Sequence, residues 1–155
     1  MSSVSRSADP ARPDLGAVQE ACWLALLLAD RVKSSFSAHA SAFGLTVIQA
    51  KVLLQLQPGA GLPMHTLASQ VRSDPSNLTA PIDKLEARGA VARQPGSADR
   101  RVKSIVLTED GCRLRDDLWH EITNDPGPID HLSADQVADL RGILRAAVGA
   151  QVPGQ

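Results

Sequence analysis

Only two cysteines, Cys22 and Cys112, occur in 155 residues. That is too few for a disulfide framework or a zinc ribbon, and in a reducing compartment each is expected as a thiol. Long apolar runs are equally scarce. The longest, ACWLALLLA over residues 21–29, is too short and too rich in alanine to span a bilayer, and the N-terminus lacks the basic flank and small-residue cleavage site of a secretory signal. The expectation is a cytoplasmic protein with no membrane partner. Also missing are a Gly-rich phosphate loop after a strand, a nucleophile with a local base, and a Ser elbow, so no enzyme and no cofactor is expected. The four histidines, His39, His65, His120 and His131, have no paired spacing. His39 with Glu20 or His120 is the nearest approach to a metal set, and a core or surface role is the expected one.

Neither sign of charge dominates, because the net charge is −1. The distribution is uneven all the same. Residues 66–107 hold seven basic and four acidic side chains, whereas residues 108–145 hold four basic and nine acidic ones. Such a contrast points weakly to a polyanion-facing part carried by a solvating or oligomerising part. The length suits one domain with a core, or a chain that shares its core with a partner subunit.

Residues 1–13 are small, polar and interrupted by proline, which predicts a disordered tail. From Leu15 the apolar positions Val18, Cys22, Ala25, Ala29, Val32, Phe36, His39 and Phe43 follow at spacings that alternate between three and four. This predicts a long helix over 14–44 whose narrow seam packs on another long helix, most economically that of a partner subunit. Thr46 and Gln49 form a capping box for a second helix that stops at Pro58 and Gly59. MHTLASQVRS after Pro63 predicts a third, and Asp74 as N-cap with Pro75 as first residue opens a fourth, closed by Gly89. Three short helices with a tight turn before the last form a helix-turn-helix.

The period then changes. AVARQ (90–94) and VKSIVLT (102–108) alternate as strands do around the turn residues PGSADRR, which gives a hairpin with a basic tip. Thr108 caps a following helix with Glu109 and Asp110 in its first turn, and Ser133 with Gln136 opens a last one. The organisation expected is a mainly α chain with a small β-hairpin wing: a winged helix-turn-helix over 45–108, followed by C-terminal helices over 109–150.

On the fourth helix, Leu78, Ile82 and Leu85 fall within about 60° of one another and form the buried stripe. Ser76, Asn77, Thr79, Ala80, Asp83 and Lys84 cover the remainder. Short hydroxyl and amide side chains near a helix N-terminus suit a major-groove reader, although a solvated face has the same composition. The hairpin separates the two readings. Arg100 and Arg101 on a slim loop can enter a minor groove that excludes a helix, Asp99 can hold one guanidinium while the other reaches out, and Lys103 adds charge. Pro81, inside the fourth helix, removes a backbone hydrogen bond to residue 77, and a bend there would redirect Ser76 and Asn77.

The stretches LTVIQAKVLLQL, HTLASQV, SDPSNLTAPIDKLEARGAVARQ, SADRRVKSIVLTEDG and CRLRDDL together resemble the MarR family of bacterial transcriptional regulators, from about residue 15 to 150. The resemblance implies a homodimer with interlocked terminal helices, two winged lobes on a pseudo-palindromic double-stranded DNA operator, and a pocket where a small aromatic or phenolic effector releases the DNA. It places Ser76, Asn77, Thr79 and Ala80 at recognition positions and Arg100 and Arg101 in the wing. Trp23 and Trp119, one on each dimerisation-type helix, are candidates to line the pocket, with packing between subunits as the alternative.

Cys22 resembles the sensing cysteine of the organic-hydroperoxide branch of that family, which also tolerates a proline beside the residue matching Thr79. That branch supports its cysteine with tyrosine hydroxyls, and this chain contains no tyrosine. Leu26, Phe36 and Val47 stand in the corresponding neighbourhood, and a cysteine buried among apolar groups is usually inert. The expected function is a repressor released by a ligand. The alternatives are a thiol-based redox sensor using Cys22, with Cys112 as resolving partner, and a winged-helix module for protein contacts that does not bind DNA.

Overall fold

The structure, a computed structural model, describes residues 14–96, 103–125 and 127–149. The expected N-terminal tail and the wing-tip residues Asp99, Arg100 and Arg101 lie outside the described residues. Helix α1 (Leu15–Ala42) starts where the Asp14 carboxylate accepts from the Gly16 N–H and ends before Gly44, which turns the chain at φ +66°. Helix α2 (Val47–Gln55) carries the expected capping box in full. The Gln49 N–H donates to the Thr46 hydroxyl at 3.4 Å, and the Thr46 N–H donates to the Gln49 side chain at 2.9 Å. Two orphan donors of the first turn are satisfied by this exchange.

Strand β1 (Leu62–Pro63) leads into helix α3 (Met64–Val71), and helix α4 (Pro75–Ala87) follows a turn in which Arg72 adopts φ 54°. Strands β2 (Val91–Pro95) and β3 (Lys103–Leu107) form the hairpin, with Val91 opposite Leu107 and Pro95 opposite Lys103. The sheet has a third strand that the periodicity does not signal. β1 pairs antiparallel with β3, Leu62 opposite Ile105, giving the order β1-β3-β2. Two residues, one of them proline, show no alternation, so only the presence of β3 defines them as a strand.

Helix α5 (Glu109–Asn124), a 3-10 turn (Gly127–Ile129) and helix α6 (Ala134–Val148) complete the chain. Both expected caps form: Thr108 accepts from Gly111, and Ser133 and Gln136 make a second capping box. Gly111 is required by close approach, since a Cβ there would lie 1.8 Å from the Ala90 carbonyl oxygen. The Thr108 N–H donates to that same oxygen at 3.1 Å and its hydroxyl donates to the Gly89 carbonyl. The start of α5 is thereby seated on the corner between α4 and β2.

One core holds the lobe together. Leu53 of α2 and Leu56 just after it, Leu67 of α3, Leu78, Ile82 and Leu85 of α4, Ile105 of β3 and Leu118 of α5 are all buried within it. Each such side chain contributes about 1.5–3 kcal/mol on burial, so the inward stripe of α4 fixes the direction its outer face looks. One local expectation is corrected. Asp74 occupies the N-cap position, but its side chain makes no capping bond. Helix α4 runs as one helix through Pro81. The N–H that proline lacks would have served the carbonyl of Asn77, an exposed residue in the first turns, where water can replace the missing bond.

The terminal helices bury little. Along α1 the first residue that is not exposed is Leu28, and α6 has no buried residue at all.

Candidate nucleic-acid interface

Because Leu78, Ile82 and Leu85 are held in the core, the opposite face of α4 is presented outward with Ser76, Asn77, Thr79, Ala80 and Lys84 exposed. Next to Asn77 lies a polar cleft of about 420 Å³ lined by Ser69, Arg72, Ser73 and Asp74. Lys103, at the outer end of β3, is exposed on the wing. The candidate readers therefore share one face of the lobe with a hairpin beside them. The arginines expected to tip that hairpin, Arg100 and Arg101, and the neighbouring Asp99 lie outside the described residues.

Three arginines carry roles that the sequence does not signal. Arg72 is an exposed cation at the cleft in a left-handed conformation that glycine would adopt more easily. Arg88, after the last turn of α4, donates from Nη1 to the Phe43 carbonyl oxygen at 2.8 Å, joining α4 to the end of α1. Arg93 of β2 donates from Nη2 to Asp83 and from Nη1 to Glu86, and its own backbone N–H donates to Glu86 Oε1 at 3.2 Å. The hydrogen bond to Asp83 raises the Arg93 pKa above its ordinary value, burial opposes it, and the charges of Glu86 and Asp83 add to it. Counting charges along the sequence treats Arg93 as a free cation, whereas in the fold two carboxylates occupy it.

A cavity of about 620 Å³ lies between α1, α2 and α5. Val32, Phe36, Val47, Leu54 and Trp119 give it an apolar interior, and Lys33, Lys51, Ser34, Ser37 and Gln55 supply polar groups. Of the two tryptophans expected at a pocket, Trp119 lines this cavity. Trp23 does not; it sits far out on α1 and is 62% exposed. Cys22, expected among apolar neighbours, is likewise exposed within the single chain, about 25 Å along α1 from His39 at 1.5 Å per residue. Cys112 is half-buried in the first turn of α5, and both thiols are free.

His39 meets neither Glu20 nor His120. Its Nε2 lies 2.9 Å from Asp125 Oδ2 and 3.4 Å from the Ser35 hydroxyl. Serine and carboxylate share one ring nitrogen, so the trio lacks the two-sided geometry of a nucleophilic triad. His120 pairs with Asn124 at 2.7 Å instead. Among the described residues no three His, Cys, Asp or Glu side chains cluster as a metal site, and no helix is long and apolar enough to cross a membrane.

The MarR family matches residues 45–103, the segment that carries α2 to the start of β3. The multiple antibiotic resistance protein MarR of Salmonella typhimurium is 30% identical over 115 residues, covering 69% of this chain and 76% of that protein. This chain belongs to the MarR family. Another relative, the HTH-type transcriptional regulator TtmR of Methylorubrum extorquens, is 35% identical over 112 residues, which cover 68% of the present chain and 57% of TtmR. The chain thus spans about half the length of two curated relatives it matches, 44% and 57%. Among solved structures, CouR of Rhodococcus jostii RHA1 bound to p-coumaroyl-CoA superposes with a TM-score of 0.74 at 26% identity, covering 90% of this MarR-family chain and 99% of CouR. CouR on a 23-mer DNA duplex gives 0.69 at 25% identity, covering 90% and 100%.

Proposed function

We propose that the chain is a homodimeric, sequence-specific DNA-binding repressor released from its operator by a small effector with an apolar body and an anionic end. The observation that carries the DNA reading is the outward face of α4. Ser76, Asn77 and Thr79 are exposed near its N-terminal end while Leu78, Ile82 and Leu85 anchor its back. Short polar side chains there can pair with base edges, and Arg72, Lys84, Lys103, Arg100 and Arg101 are the cations available for phosphate or minor-groove contact. The likeness to CouR bound to a 23-mer DNA duplex supports the same use.

Dimerisation is supported by what the single chain leaves uncovered. Leu15, Trp23, Leu24, Leu26 and Leu27 on α1 and Ile143, Leu144 and Val148 on α6 are all exposed. A second copy packed on these helices would remove that apolar surface from water. The effector class follows from the cavity, whose aromatic and aliphatic walls carry Lys33 and Lys51 at hand for a carboxylate or phosphate. CouR, bound to an acyl-CoA thioester, is a relative whose ligand has this chemistry.

Selection of duplexes from a random library, followed by fluorescence anisotropy across a salt series, tests the reading. A selected site bound in a strongly salt-dependent manner, and released by an aromatic carboxylate or its CoA thioester, is the expected outcome. Binding to no duplex would leave the winged lobe as a protein-contact module. The thiol reading keeps one supporting observation, the exposure of Cys22. Release by an organic hydroperoxide in the parent but not in Cys22→Ser would replace the ligand with an oxidant.

A further inference from the structure

Arg93 is a cation on the wing of a proposed DNA-binding lobe, yet its donors are turned inward. One guanidinium nitrogen serves Asp83, 2.5 Å away, the other serves Glu86, and the side chain is 22% exposed. Asp83 and Glu86 lie one turn apart on α4, so the fork of Arg93 spans one edge of that helix. The backbone N–H of Arg93 is bound to Glu86 as well, so strand and side chain are both fixed. Arg93 stands opposite Ile105, midway along the paired part of the hairpin, between its buried base at Val91 and its outer end at Pro95 and Lys103.

β1 braces the β3 edge of this ribbon at Ser104 and Ile105, whereas β2 has no strand on its outer side among the described residues, so the β2 edge is the freer one. A bidentate contact halfway along it, to the very helix that reads DNA, removes that freedom. It also occupies two carboxylates whose presence on a DNA-facing helix would otherwise repel phosphate.

We propose that Arg93 is a positioning residue: it makes no contact with DNA and, through Asp83 and Glu86, sets the angle between the wing and α4 so that both engage the duplex together. The inference rests on the DNA-binding reading above. Without the clamp, affinity falls because the wing is misplaced, while the cations that face phosphate are all still present. A phosphate-contacting cation behaves differently, because its loss from both protomers of the dimer removes two phosphate contacts and flattens the dependence of log K on log salt by about 1.8.

The test uses the full chain and a duplex selected with the parent protein, with Kd measured by anisotropy at several salt concentrations. Arg93→Gln is expected to weaken binding about tenfold with the salt slope unchanged. Arg93→Lys is expected to weaken it too, since a point charge cannot fork between two carboxylates. Asp83→Asn gives the most direct discrimination. On charge alone, deleting an acid beside DNA tightens binding, whereas disruption of the clamp weakens it. Lys103→Gln provides the reference for removing a cation that faces phosphate. If Arg93→Gln flattens the slope by about 1.8, or Asp83→Asn binds more tightly than the parent, the proposal is overturned. Should circular dichroism find Arg93→Gln unfolded, Asp83→Asn decides alone, because it retains the Glu86 half of the clamp. A parent that selects no duplex brings down the DNA reading itself, and this proposal with it.

Discussion

Arg88, just past the end of α4, donates a hydrogen bond of 2.8 Å to the carbonyl oxygen of Phe43, the residue that caps α1. The contact bridges the two parts assigned different tasks, the helix proposed to carry the dimerisation seam and the helix proposed to read DNA. Phe36, further back on α1, lines the cavity. A ligand that shifts α1 therefore has a direct mechanical route to α4. Arg88→Gln should cost about 1 kcal/mol of stability, a fall of about 3 °C in Tm. It should also shrink the ratio of Kd values measured with and without effector. An unchanged ratio would mean that the cavity and α4 communicate by another path.

Gly111 faces the Ala90 carbonyl oxygen so closely that no side chain fits. Gly111→Ala should force α5 away from the corner between α4 and β2 and destabilise the fold by about 3 kcal/mol, or about 10 °C in Tm. Thermal unfolding by circular dichroism reads it directly. A Tm within about 2 °C of the parent would show that α5 is seated more loosely than the geometry requires.

Asn77 and Arg101 should fail in different ways. Asn77→Ala is expected to lose about 1–3 kcal/mol of discrimination at one base pair while retaining its salt slope. Arg101→Ala, a prediction that rests on sequence because Arg101 lies outside the described residues, should weaken binding to all duplexes and lower the slope by about 1.8, one contact being lost from each protomer. Parallel selection experiments on both variants make the comparison, and equal loss of specificity in the two would contradict the division of labour.

Lys51 lies on the cavity wall, exposed and beside Val47 and Leu54. Lys51→Met keeps the stem and removes the charge, so the Kd for an anionic effector should rise about tenfold while DNA binding without effector stays the same. A titration of effector against the protein–duplex complex measures both quantities. No change in the effector titration would move the anion-binding role away from this lysine.

Leu26 is 64% exposed on α1. Leu26→Glu should convert a dimer to a monomer by placing charge in the proposed seam, read as a halved mass by light scattering. With one lobe per molecule, affinity for a two-half-site operator should fall by at least about a hundredfold. A variant that stays dimeric would move the seam to α6.

The helices, caps and wing strands were legible from the sequence because their signals are local. A capping box joins residues three apart, as at Thr46 with Gln49 and at Ser133 with Gln136, and the stripe of Leu78, Ile82 and Leu85 is visible at helical spacing. Pairings between distant segments were not. Strand β1 exists only because β3 lies beside it, and Arg88 reaches an acceptor 45 residues earlier. Arg93 shows the difference most clearly. As a letter in the sequence it is one more basic residue in a basic segment, and only the packing of β2 along α4 brings Asp83 and Glu86 to it and turns a free charge into a clamp. The cavity likewise belongs to no segment, since Phe36, Leu54 and Trp119 come from three helices. Residue type and local spacing determined which elements form and which face of each is apolar. Close packing in three dimensions, which no one-dimensional period encodes, decided which charges are neutralised within the fold and which remain for a partner.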